Sequence, residues 1–112
     1  MPATLQFKPS ASQDVVSYKL YAKVDEPNVQ LTKDNATIIS NLGNPAPEAD
    51  GFIRVILNNA PEMTNAEGMY DLGIAAVDGQ GNESPLLLQG LADISLDFLA
   101  PSPPSEASVY FS

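Results

Sequence analysis

Hydrophobic and polar residues alternate along several short stretches of the chain, a pattern that predicts β-strands with one buried face. The clearest alternation covers residues 16–24, where every second residue is apolar or aromatic. Two lysines on the opposite face indicate that this face meets water. The predicted inward residues are Val16, Tyr18, Leu20, Ala22 and Val24, and the predicted outward residues are Ser17, Lys19, Tyr21 and Lys23.

Four further stretches alternate in the same way, and two weaker ones lie between them. The four are residues 3–8 with Ala3, Leu5 and Phe7 inward, 52–57 with Ile53, Val55 and Leu57 inward, 69–78 with Tyr70, Leu72, Ile74 and Ala76 inward, and 91–98 with Ile94, Leu96 and Phe98 inward. The weaker two, residues 29–32 and 36–40, flank the turn-prone tripeptide at 33–35 and predict a short edge hairpin.

Ten prolines and seven glycines interrupt the chain so often that no window keeps apolar residues at helical spacing. Residues 41–51 and 58–68 are expected to form loops, and the glycine-rich residues 78–82 a tight turn. Strands separated by turn residues are typical of a sandwich or barrel. The sequence therefore predicts an all-β fold, an antiparallel two-sheet β-sandwich.

A chain of 112 residues is long enough for one such domain, which we place at residues 1–99. Residues 100–112 begin with a proline-dense segment that predicts an extended linker. The last part of that segment, residues 108–111, is β-prone and has no assigned partner strand, so it is a candidate extra strand.

Composition removes several classes of function. Cysteine and histidine are absent, so thiolate chemistry, disulfides and the commonest general base are missing. The net charge is −9 and the five cations are scattered, which argues against binding nucleic acid or an acidic membrane surface. No apolar stretch is long enough to insert in a bilayer. We expect neither an enzyme nor a cofactor.

Three stretches resemble fibronectin type III domains, which are immunoglobulin-like sandwiches. Residues 5–7 are similar to the second strand of the family, residues 18–21 to the third, and residues 70–78 with the turn after them to the sixth. The sixth-strand similarity is the most specific. The resemblance covers roughly residues 3–98 and implies structural roles for Phe7, Tyr18, Leu20, Tyr70, Leu72, Ile74 and Ala76.

The resemblance implies that the Tyr70 hydroxyl bonds the backbone upstream, as in a tyrosine corner. It also implies a small Ala76 between close sheets, and positive φ at Gly79 and Gly81. The sequence departs from the family in three ways. Phe7 stands where Trp is usual, residues 25–51 hold an extra hairpin or insertion, and no first strand precedes Leu5. The family's first strand is either lacking or supplied by residues 108–111, of the same molecule or of a neighbour.

Two sets of residues are candidates for binding. Asp78, Asn82 and Glu83 are a weak calcium candidate, but they lack the acid spacing of an EF-hand loop, and a hydrogen-bonded turn explains them better. Aromatic residues on predicted outer faces or in the tail could contact a partner. They are Tyr21, Phe52, Tyr110 and Phe111.

These observations predict a non-catalytic protein-interaction or spacer module of a larger bacterial surface or secreted protein. The N-terminus shows no signal peptide, so an extracellular location would apply to a longer chain. One alternative is a self-assembling structural subunit, as in a virion or appendage, that exchanges its tail strand with copies of itself. A further alternative is a carbohydrate-binding module with a polysaccharide partner.

Overall fold

The computed structural model describes residues 3–63, 66–98 and 108–111, which contain mostly β-structure. In chain order the elements are β1 (Thr4–Phe7), β2 (Val15–Val24), β3 (Ile38–Gly43), β4 (Ile53–Ile56), two 3₁₀ turns at Leu57–Asn59 and Pro61–Met63, β5 (Glu67–Asp78) and β6 (Ile94–Asp97). Within these ranges, neither helical turn is long or apolar enough to cross a membrane.

The strands form two antiparallel sheets. β1 pairs with β4, so that Leu5 lies opposite Val55 and Phe7 opposite Ile53. The second sheet has four strands in the order β3-β2-β5-β6. Its two central strands, β2 and β5, are the longest in the molecule. The predicted all-β fold with antiparallel sheets is confirmed.

One apolar face of each sheet contributes to a shared inner core. The Phe7 and Tyr18 rings meet across the two sheets edge to face, with centroids 5.0 Å apart and planes at 62°. Besides these two rings, the main contributors are Leu5, Leu20, Ile53, Leu72, Ile74 and Leu96. All the residues that the resemblance assigned to the core are buried here except Ala76, which is half-buried and packs against it.

The opposite face of β2 and β5 is also buried, contrary to the prediction that it meets water. Tyr21 and Lys23 are each only 4% exposed. Tyr21, Leu31 and Ala75 form a second apolar group, the outer cluster, against which Ala36, Leu86 and Leu88 pack. The covering residues come from the segments after β2 and after β5, so alternation within β2 alone could not reveal them.

Alternation also predicts that two valines of β2 point inward, and for both the prediction is wrong. Val16 and Val24 are about half exposed, at 53% and 52%. The pairing of β2 with β5 shifts between Val15 and Ser17, which leaves Val16 at a bulge and lets Val15 pack against the inner core. Val24 ends the strand, where the core no longer covers it.

The predicted edge hairpin is wrong as well. Residues 30–32 form no strand, and Val29 makes only an isolated bridge with Glu26. The turn at 33–35 exists, because the Thr32 N–H donates to Asn35 Oδ1 at 2.7 Å and the Asn35 N–H donates to Thr32 Oγ1 at 3.2 Å. β3 follows two residues later than predicted and runs into the expected loop at 41–51.

Two backbone features that the fibronectin resemblance implies also differ from the structure. Within the described ranges the backbone amide that bonds a tyrosine hydroxyl is that of Ser10, which donates to Tyr18 Oη at 3.0 Å, and the Tyr70 hydroxyl has no such bond. Tyr18 therefore links the backbone at Ser10 to the inner core. In the turn after β5, Gly81 has the expected positive φ of +88°, whereas Gly79 does not.

The segment between β5 and β6 continues along β5 instead of leaving it. Leu87 and Ile74 exchange two backbone hydrogen bonds, and the Leu72 N–H donates to Leu91 O. The predicted last strand, residues 91–98, is shorter and begins at Ile94. Most of the proline-rich linker lies outside the described residues. Residues 108–111, which we call the tail, form no strand and are exposed.

Candidate functional site

Three aspartates from distant parts of the sequence meet on the outer side of the four-stranded sheet. Asp25 directly follows β2, Asp71 lies within β5, and Asp93 precedes β6. One carboxylate oxygen from each lies within 4.8 Å of the others. Carboxylate oxygens are the ligands that Ca²⁺ prefers, so these three residues could hold such an ion.

Backbone contacts fix the positions of the three aspartates. The Asp25 N–H donates to Met69 O at 2.9 Å, which places Asp25 beside β5. The Asp93 N–H donates to Asp71 Oδ1 at 3.1 Å. Asp93 adopts a φ of +57°, a left-handed conformation that aspartate tolerates better than most residues. The cluster is therefore built into the strand ends.

Crowding of the carboxylates changes the acidity of Asp25. Burial raises the pKa of the Asp25 carboxyl above its ordinary value, and a hydrogen bond with Asp93 and the negative charge of Asp71 raise it further. The cluster can relieve this repulsion by binding a proton or a cation. The sequence did not predict these residues, because their separations follow no spacing rule. Asp71, on a face predicted to be exposed, looked like an ordinary surface acid.

A cavity of about 630 Å³ opens beside the three aspartates. Its remaining walls are largely apolar and include Leu31, Leu72 and Leu88. Next to it, the buried Lys23 ammonium donates to Val24 O and contacts Glu26 Oε1, each at 2.9 Å. Glu26, which also lines the cavity, is thereby neutralised. The cavity is of the size that small-molecule sites have.

Glu83 lies at the centre of a second polar group, formed around the outer cluster. Tyr21 Oη donates to Glu83 Oε1 at 2.5 Å, and Lys19 Nζ donates to Oε2 at 3.1 Å. Lys33 Nζ lies 3.4 Å from Oε1. The hydrogen bond from Tyr21, followed by the one from Lys19, lowers the pKa of Glu83 below its ordinary value. Burial, and then this carboxylate, raises the pKa of Tyr21 to about 12.

These contacts separate Glu83 from the other two residues of the calcium candidate. Both oxygens of Asp78 accept hydrogen bonds within their own turn, from the Gln80 and Asn82 N–H groups at 2.9 Å and from the Asn82 amide at 3.0 Å. Those bonds, above all the one from the Asn82 side chain, lower the pKa of Asp78. Glu83 faces the lysines instead. The structure thus supports the hydrogen-bonded turn.

The four candidate aromatic residues have different surroundings. Tyr21 is buried, so its predicted exposure is wrong. Phe52 is half-buried between two cations, with Lys8 Nζ 5.5 Å and Arg54 Cζ 5.7 Å from its ring centroid. Tyr110 and Phe111 are 90% and 94% exposed. Only these tail residues offer open aromatic faces.

A small hollow with both apolar and polar walls lies next to the end of β1, between the two sheets. It has a volume of about 160 Å³, and we call it the β1 groove. Phe7, Tyr18, Ile74, Pro85 and Leu87 form its apolar walls, and Lys8 contributes a charge. The Leu87 side chain is about half exposed, at 47%. The groove is an uncovered part of the inner core.

Comparison of the chain with models of known protein families, with curated proteins and with solved structures found no match.

Proposed function

We propose that this chain is a fibronectin type III-like β-sandwich that serves as a non-catalytic protein-interaction or spacer module of a larger bacterial surface or secreted protein. The placement of three strands carries the proposal. In immunoglobulin-like sandwiches the second strand lies in one sheet, and the third and sixth are neighbours in the other. β1, β2 and β5, which bear the family resemblance, have this relationship.

Two carboxylates of the described residues, those of Glu83 and Asp78, support a non-catalytic role. Glu83 is engaged by two lysines and a tyrosine. The Asp78 carboxylate is occupied within its turn. Groups held in this way stabilise a surface, whereas a catalytic base must be free to accept a proton from a substrate.

Carbohydrate binding receives less support. Sugar rings stack on open aromatic faces, and within the described β-structure Tyr21 is buried and Phe52 lies between two cations. Self-assembly as a structural subunit is a better second candidate, because the exposed aromatic residues all lie in the tail.

A tandem fusion tests the spacer role. Two copies joined by a flexible linker are expected to unfold cooperatively at the same temperature as a single copy, since a spacer must fold without help from its neighbours. A single chain that lacks a cooperative transition, or a tandem that loses it, would contradict the module proposal.

A further inference from the structure

β1 has an open edge. It pairs with β4 on one side only, so the N–H and C=O groups on its other side have no partner strand among the described residues. A cavity lined by Leu42 of β3 and Val55 of β4 places β4 over the β3 side of the larger sheet. β1 therefore lies on the opposite side, and the C-terminal end of its free edge is near Ser84, Pro85 and Leu87. Such an edge is a template for another strand.

The β1 groove lies at the C-terminal end of this open edge, where Phe7 and the residues just after β1 line it. Its apolar walls would be covered by a strand that added to β1, because alternate side chains of that strand would point between the sheets. Leu87 would lose its exposure in the same step. A covering strand would thus satisfy both the free backbone groups and the uncovered apolar surface.

The tail has the properties of such a strand. Val109, Tyr110 and Phe111 are 78%, 90% and 94% exposed, and β-branched and aromatic residues favour strands. The tail has four described residues, as many as β1. Within one molecule the tail is exposed and pairs with none of the other described residues, so it does not fill the groove of its own chain.

We propose that the tail of a second copy adds as a strand to the open edge of β1 and inserts an aromatic side chain into the β1 groove. Main-chain hydrogen bonds would give affinity and the groove would select the side chain. This inference rests on the proposed sandwich, in which a strand is lacking beside β1.

Charge favours this contact over other contacts between copies. With a net charge of −9, two chains repel each other over most of their surfaces. The residues that line the β1 groove include Lys8 and no carboxylate. The groove is therefore a place where an uncharged tail can approach without meeting like charge.

Sedimentation velocity of the full chain over a range of concentrations tests the proposal. The mass is expected to rise above that of one chain. The double variant Tyr110→Asp with Phe111→Asp should weaken association by roughly tenfold or more, because it removes the aromatic anchors. The matched control, Asn44→Asp with Ala46→Asp, adds the same two charges in an exposed loop after β3 and should associate like the natural chain.

A mixing experiment separates strand exchange from general stickiness. Leu87→Asp blocks the groove but keeps the tail, while the tail double variant keeps the groove. Each alone should associate far more weakly than the natural chain, and an equal mixture should form a complex through the one intact tail and the one intact groove. Restored association in the mixture supports exchange.

Three results would overturn the proposal: a natural chain that stays monomeric at every concentration, association that the tail variant does not weaken, or hydrogen-exchange protection of residues 108–111 in a monomer. The last would mean that the tail pairs within its own molecule. A monomer that still unfolds cooperatively would remove strand exchange and leave the module proposal intact.

Discussion

The Tyr21 hydroxyl and the Glu83 carboxylate are joined by a 2.5 Å hydrogen bond across 62 positions of the sequence. The bond connects the middle of β2 with the segment that follows β5. It therefore fastens the cover of the outer cluster to the sheet beneath it.

Replacing Tyr21 by Phe tests this bond. The ring and its packing remain, but Glu83 loses a donor, so the free energy of unfolding should fall by about 1–2 kcal/mol. Urea denaturation at pH 7 measures the change. Tyr110→Phe, which alters the same group on an exposed ring, should leave stability unchanged.

The acidity of Glu83 gives a pH dependence. Its folded-state pKa lies below the ordinary 4.5, so its contribution to stability is complete above pH 4.5 and is lost as the pH falls through the lowered pKa. Glu83→Gln should destabilise the protein clearly at pH 7, and its deficit relative to the natural chain should shrink in acid. A deficit that persists unchanged at low pH would show that the charge of Glu83 is not what stabilises the fold.

The stability contributed by Asp25 should depend on pH in the opposite direction. Its folded-state pKa lies above the ordinary 3.8, so protonation favours the folded state, and stability from this group is lost as the pH rises through the raised pKa. Asp25→Asn should therefore be more stable than the natural chain at pH 7 and equal to it in acid.

Thermal unfolding with a chelator present measures the Asp25 effect, because a cation held by the three aspartates would hide their repulsion. Asp34→Asn, in an exposed turn, makes the same change of charge and serves as the control. Equal gains in both variants would contradict a specific repulsion at the cluster.

Gly73 should not tolerate even a methyl group. An added Cβ would lie 3.1 Å from Leu88 Cδ2 and 3.3 Å from both Leu31 Cδ2 and Leu86 Cδ1. Gly73→Ala is expected to cost about 1–3 kcal/mol of stability through overpacking. Gly79→Ala is the matched control, since its added Cβ would meet only Val16 Cγ1 at 3.8 Å. Similar urea midpoints for both variants would contradict a closely packed outer cluster.

Ser40 offers a gain in stability. It is fully buried in β3, and its Oγ has no hydrogen-bond partner within the described part of the chain. Ser40→Ala removes a polar atom that is costly to bury, so the free energy of unfolding should rise by about 1 kcal/mol. Ser95→Ala, at an exposed position of β6, should have little effect. A loss of stability in Ser40→Ala would mean that the hydroxyl has a partner.

Alternation predicted the inward residues of β1, β4 and β5 well, because one face of each packs against the inner core. It failed where burial depends on remote segments. The charge of Lys23 suggested a solvent-exposed face of β2. In the structure Glu26 and a backbone carbonyl bind its ammonium inside the protein. Local sequence also could not place the bulge at Val16, which moves Val15 into the inward position.

The candidate sites also divide into those set by local sequence and those set by remote segments. The turn at Asp78 was predictable, since its hydrogen bonds are local. The meeting of Asp25, Asp71 and Asp93 was not, because it depends on how β2 and β5 align and on where β6 begins. Pairing register between strands is a long-range property that no short motif encodes.

Apolar clusters on both sides of the four-stranded sheet also imply that the strands unfold locally in a definite order. Amides in the middle of β2 and β5 are shielded by two layers and should exchange with deuterium only when the whole protein unfolds. β1 pairs with one short strand and faces a single layer, so it should exchange sooner. The least protected strand would then be the one whose edge is open, and a bound tail would slow its exchange.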